Sequence, residues 1–266
     1  MNALVIGIDV GGQVKGFHAV ALRDKEITER HHSEDAAAMR AWCVKHTPAA
    51  IGVDAPCRWR SGSRPRAADT EMAREKIFCF ATPYEDAARG VPFHQWMVNG
   101  AALYVELEKA FPLFDGGAWQ RPVCFETFPQ AVACALAGRV LAAKAKRFER
   151  KAVLEKQGIK TAALTSIDYV DAALCALTAR HLVDGAVKTY GERFRLCRGA
   201  KTCGAEVGVQ TPPWHLEAVH PVPPRARAID DRFEILGEDV TSGDQLPRHV
   251  AHALEIRGLR GVTLLD

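Results

Sequence analysis

The sequence predicts an α/β domain on a mixed sheet, three antiparallel strands first and alternating helix and strand afterwards. Three observations carry this. Apolar runs of strand length end in an acid or a turn signal, as in Ala3-Leu4-Val5-Ile6-Gly7-Ile8-Asp9 and Ile51-Gly52-Val53-Asp54. The first three runs follow one another across turn-length gaps, which makes a meander. The later runs are separated by stretches with helical spacing, the usual connection between parallel strands.

Element by element, residues 3 to 9 form a buried strand ending at Asp9, and Gly11-Gly12 is a turn signal. Residues 16 to 23 make a second strand, and 26 to 31 a polar third with partial alternation. Residues 34 to 46 carry helical spacing through Ala38, Met39, Trp42 and Cys43. The short strand Ile51 to Asp54 stops at Ala55-Pro56, because proline cannot continue a central strand. Residues 57 to 98, rich in Arg, Gly and Pro with a helical piece near 66 to 76, read as an insertion over the sheet. Asn99 is placed to cap a helix running to Phe111, with Leu103, Leu107 and Phe111 on one face. Val123 to Glu126 is the fifth strand, and Pro129 suits the first turn of a following helix. Two helices, 139 to 157 and 166 to 184, complete the order βββαβα(α)βαα. That is the order of the ribonuclease H-like fold.

Bulk properties bound the rest. At 266 residues, 48% hydrophobic and 25% charged, the chain is an ordinary globular protein, neither fibrous nor disordered as a whole. The expected division is a domain over 1–190 and an irregular, poorly ordered tail over 191–266, where prolines cluster and apolar periodicity fades. A net charge of +3 neither diagnoses nor excludes a nucleic-acid partner. Charged residues interrupt every apolar run before membrane-spanning length, so no membrane partner is expected. The N-terminus enters a strand with no basic region ahead of it, which argues against a signal peptide. Cys43, Cys79, Cys124, Cys134 and Cys175 have apolar neighbours, which suits buried reduced thiols and a cytoplasmic protein. Cys197, Cys203, His215 and His220 follow a zinc-finger order, but the cysteine spacing is too wide for one.

The chemistry lies in the acids. Asp9 ends the first strand and Asp54 the fourth; if those strands are neighbours, both carboxylates reach one edge of the sheet. Asp168 and Asp171 share a face of the last helix, and Glu126 ends the fifth strand. Two unit charges about 4 Å apart cost roughly 4 kcal/mol at an effective dielectric near 20. Such a cluster persists when a cation offsets it or when some members hold protons. Oxygen-only ligands favour Mg²⁺ or Mn²⁺, and such ions can activate water against a phosphodiester. Plainer roles exist for each acid. Asp9 can serve a turn, Thr165-Ser166-Ile167-Asp168 reads as a capping box, and Glu126 can cap a helix or pair with an arginine.

Seven strings together resemble a known family: Gly7-Ile8-Asp9-Val10, Gly52-Val53-Asp54-Ala55-Pro56, Arg66-Ala67-Ala68-Asp69, Thr82-Pro83, Trp96-Met97-Val98-Asn99-Gly100, Glu126-Thr127-Phe128-Pro129 and Asp168-Tyr169-Val170-Asp171-Ala172-Ala173. They resemble the domain-of-unknown-function family 429, a predicted nuclease family with a ribonuclease H fold, over about residues 3 to 185. The resemblance implies that Asp9, Asp54, Asp168 and Asp171 ligate metal, and it marks Glu126 as a family-specific catalytic candidate.

A nuclease needs a surface that holds phosphates. Arg58, Arg60, Arg64 and Arg66 follow Asp54 in the chain with Trp59 among them; arginine grips phosphate bidentately and Trp59 can stack on a base. The basic run Arg139, Lys144, Lys146, Arg147, Arg150, Lys151 and Lys156 reads as a solvated helix face. The function expected is therefore a divalent-metal-dependent nuclease on DNA or RNA. One alternative is a phosphotransferase of the actin-like or sugar-kinase class, since Ile8-Asp9-Val10-Gly11-Gly12 resembles its first phosphate loop. Gln13 stands where that class has Thr or Ser, and no second Gly-rich loop follows. The other is a non-catalytic nucleic-acid adaptor.

Overall fold

The computed structural model describes residues 3–191, apart from 115, 117, 118, 120, 121, 143 and 144, together with the backbone of 194–197. The meander is β1 (Leu4–Val10), β2 (Phe17–Arg23) and β3 (Glu26–Ser33), joined antiparallel. β4 (Ala50–Asp54) pairs parallel with β1, and β5 (Val123–Glu126) parallel with β4. This gives the β3-β2-β1-β4-β5 arrangement of a ribonuclease H-like mixed sheet. Two strands absent from the expected order, β6 (Val187–Tyr190) and β7 (Phe194–Cys197), extend it beyond β5. β7 lies past residue 190, so regular structure continues into the segment expected to be irregular; most of that segment is outside the described residues.

Among the described residues seven α-helices cover the sheet: α1 (Ala36–His46), α2 (Ala67–Arg74), α3 (Glu85–Ala88), α4 (Gln95–Leu107), α5 (Pro129–Ala137), α6 (Lys146–Lys156) and α7 (Ile167–Val183). Two boundaries differ from expectation. A 3-10 turn at Pro92–His94 leads into α4 at Gln95, so Asn99 is an interior residue and does not cap. Its amide donates instead to the Gly11 carbonyl at 2.9 Å. The stretch from 139 is not one helix, because Gly138 ends α5 in the left-handed region (φ 67°) and α6 begins only at Lys146.

Strand alternation divides the core. Ile6, Ile8, Ile51 and Val53 face α1 and α4 through Met39, Leu103 and Tyr104. Val5, Val20 and Phe125 face the other side, where α7 lies with α5 and α6 packed behind it. α7 is sandwiched in this way, and its residues from Val170 to Ala179 are all buried. It sits against bare backbone: a Cβ at Gly7 would stand 2.0 Å from the Ala172 carbonyl oxygen, and one at Gly52 2.5 Å from that of Cys175. Glycine at both positions lets a helix approach two adjacent strands this closely. Among the described residues no helix is long and apolar enough to cross a membrane.

Candidate functional site

Asp9 and Asp54 are register partners at the ends of β1 and β4. Each stands two residues after a glycine that faces α7, so by strand alternation both carboxylates project to the α7 side. α7 begins beside them. Ser166 is its N-cap, accepting from the Tyr169 amide at 3.3 Å, so Asp168 is not needed for the capping box expected on Thr165. Asp168 instead receives Lys15, from the turn after β1, at 2.6 Å. Asp171, one turn on, is buried.

The electrostatics register this convergence. The Asp9 carboxyl is pushed well above the usual range, first by burial and then by the charges of Asp171, Asp54 and Asp168, with Lys15 opposing. The Asp9 carboxylate forms no hydrogen bond or ion pair among the described residues. Burial also pushes Asp171 up, against the pull of Arg150. The Cys175 thiol of α7, close to Asp54, Asp9 and Asp171, is raised by burial and is no nucleophile.

Arg150 is the unexpected member. Its basic neighbours suggest a solvated helix face, yet it is 8% exposed, and its Nη1 donates to both Asp171 oxygens at 2.5 Å. Nη2 donates to Gln130 Oε1 at 2.9 Å, and Gln130 is itself fixed to the Leu141 carbonyl at 2.9 Å. The spacing Arg150, Val153, Leu154 is a buried helical stripe, and that was the available signal. His18 was also missed. It is the register partner of Asp9 on β2, its Nδ1 is buried without a partner, and burial lowers its pKa although Asp168 pulls the other way.

Glu126 is not brought to the four aspartates. It pairs in register with Val53, not Asp54, so it faces the opposite side of the sheet. There Arg66 grips it with two nitrogens at 2.7 and 2.8 Å, and the Cys57 amide donates to it at 2.8 Å. Arg66 also donates to Asp69 at 2.8 Å, and Asp69 accepts from the Thr82 amide at 3.1 Å. This clasp ties the insertion to β5. Arg58 is paired with both oxygens of Glu108, at 2.8 and 2.9 Å. Arg60 donates to the Gly62 and Ser63 carbonyls and lies over the Tyr84 ring. Trp59 is half-buried and, with these arginines, lines a cavity of about 860 Å³.

A divalent cation suits the donor chemistry, since all four side chains offer hard oxygens and Asp9 is a buried carboxylate among carboxylates without a hydrogen bond. It suits the cluster unevenly. Lys15 occupies Asp168 and Arg150 occupies Asp171, and no group of three or more metal-ligating side chains is preformed among the described residues. The fit is best at Asp9.

The fold and the cluster define a ribonuclease H-like α/β domain with acids gathered where β1, β4 and α7 meet. The chain belongs to the family described as "Protein of unknown function (DUF429)", which matches residues 7–194. A solved structure titled "Thermus thermophilus RuvC structure" is similar at 17% identity, covering 73% of this chain and 99% of that chain, with a TM-score of 0.37. No curated protein matches.

Proposed function

We propose that this chain is a nuclease that hydrolyses phosphodiester bonds of DNA or RNA with Mg²⁺ or Mn²⁺ held at Asp9 and Asp54. The observation that carries the reading is the Asp9 carboxylate, raised first by its burial and then by three neighbouring carboxylates, and without a hydrogen bond among the described residues. Neutralising it by protonation or a cation relieves that repulsion, and a fold with no use for the charge has no reason to retain it. Bound there, the ion supplies Lewis-acid stabilisation of charge developing on a phosphoryl group.

The surrounding residues have separate tasks. Asp9 and Asp54 hold the ion. Asp168 keeps Lys15 at the rim and Asp171 holds the buried Arg150, and the Lys15 side chain, 54% exposed, is placed to meet a phosphate. The cavity of Arg58, Trp59 and Arg60, on the Glu126 side of the sheet and apart from the four aspartates, is a second contact for the sugar–phosphate backbone, with Trp59 as a stacking surface. Arg66 supports this cavity from beneath through Glu126. The buried thiols fit a reducing, cytoplasmic setting. The turn after β1 is a poor phosphate loop, because its Gly11, Lys15 and Gly16 amides donate to carbonyls of the same turn.

One observation favours a second reading, a non-catalytic nucleic-acid adaptor: Asp168 and Asp171 already have basic partners. The test is incubation of labelled single-stranded, duplex and branched DNA and RNA with Mg²⁺ or Mn²⁺. Cleavage stopped by chelator is expected. No cleavage of any of these, together with no rise in melting temperature on adding Mn²⁺, would leave the adaptor.

A further inference from the structure

We propose that Arg150 fills a cation position of the aspartate cluster, so that this chain takes one divalent ion fewer than its four carboxylates would otherwise hold. The inference rests on the reading of Asp9 and Asp54 as the ion's ligands.

The contact itself is the first argument. An arginine usually meets a carboxylate with two nitrogens, one for each oxygen, as Arg66 meets Glu126. Arg150 does not. A single nitrogen, Nη1, stands 2.5 Å from both Asp171 oxygens, so Asp171 chelates one point of positive charge as it would a metal ion. Nη2 is turned away to Gln130, and Nε is buried with no partner. Side-chain satisfaction is thus given up at Nε while the charge is held against Asp171.

The Arg150 charge interacts with Asp54 and Asp9 as well as Asp171, so it serves the cluster and not one pair. A centre with two ions needs carboxylates free to face both, about 3.5–4 Å apart. Asp171 has both oxygens committed to Arg150, and Gln130, anchored to Leu141, keeps the guanidinium in place. The covalent cation takes one position of the cluster and leaves the remainder, with Asp9 at its centre, to a single exchangeable ion.

The test counts Mn²⁺ bound per full-length chain by equilibrium dialysis, with melting curves in Mn²⁺ and in chelator. Wild type is expected to bind one ion, Arg150→Gln two, and Arg150→Lys, which retains a charge, one. The double variant Arg150→Gln/Asp171→Asn, which removes the vacated ligand, should return to one. Mn²⁺ should raise the melting temperature of Arg150→Gln more than that of wild type, since the ion replaces the lost charge. Equal counts and equal Mn²⁺ shifts in wild type and Arg150→Gln would overturn the proposal. So would an Arg150→Gln chain that is unfolded and that Mn²⁺ does not refold. A count of zero in wild type and one in Arg150→Gln would uphold the role of Arg150 while removing the ion from Asp9 and Asp54, which separates this inference from the nuclease reading.

Discussion

Arg66→Ala is expected to lower the unfolding free energy by about 3–5 kcal/mol, the cost of stranding a buried charge by removing its partner. Two carboxylates lose the same guanidinium: Glu126, 4% exposed, and Asp69, 6% exposed. The loss spreads because the clasp joins separate segments. Glu126 also takes the Cys57 amide, and Asp69 the Thr82 amide, so both ends of the loop over β5 are released. A domain of this size should lose roughly 10 °C in melting temperature. Arg66→Lys should not restore it, because one ammonium cannot serve two carboxylates in a planar fork. Urea unfolding of the three proteins checks this. Unchanged stability with weaker nucleic-acid binding would instead make Arg66 a direct phosphate ligand.

Gly7→Ala is expected to be comparably damaging, at about 3 kcal/mol or more, the upper part of the range for overpacked cores. Its Cβ would stand 2.0 Å from the Ala172 carbonyl oxygen and 2.1 Å from the Ala176 nitrogen, both backbone atoms of α7. No rotamer change relieves a clash between Cβ and main chain. The helix must lift from β1, and it carries Asp168 and Asp171 with it, so the cluster loosens too. Gly62→Ala is the control, since nothing lies within 4 Å of its Cβ position, and it should change stability by less than about 0.5 kcal/mol. Equal stability of the two variants would mean that α7 does not rest on β1 as described.

The strand-end aspartates were legible because an apolar run with an acid at its end has a period and a stop that survive in one dimension. Register does not. Glu126 ends β5 as plainly as Asp54 ends β4, but pairing with Val53 turns it to the other face. The sequence carries the two residues with the same signal, and only the pairing separates them. Arg150 was hidden by composition, since it stands in a basic run whose neighbours Lys146, Arg147 and Lys151 suggest a solvated surface. The stripe with Val153 and Leu154 marks it as inward-facing. Asn99 looked like a cap because Asn is a good one, yet the helix was already running from Gln95 and the side chain had a tertiary partner in Gly11. β6 and β7 are four-residue strands whose pairing comes from the sheet edge and not from an apolar run of their own.

The central claim is that the acid cluster exists for chemistry and not for stability. It is tested by Asp9→Asn, measured beside wild type for both cleavage and unfolding in metal-free buffer. Asn keeps the shape of Asp9 and removes its charge. A buried carboxyl held above its ordinary pKa leaves the fold fully stable only below that ordinary value, and stability is lost from there as pH rises through the folded-state value. Asp9→Asn should therefore match wild type only below the ordinary carboxylate pKa of 3.8 and become progressively more stable than wild type as pH rises from there through the folded-state value, while metal-dependent cleavage falls by about 100-fold or more. Loss of stability at every pH, or cleavage at the wild-type rate, would contradict the account.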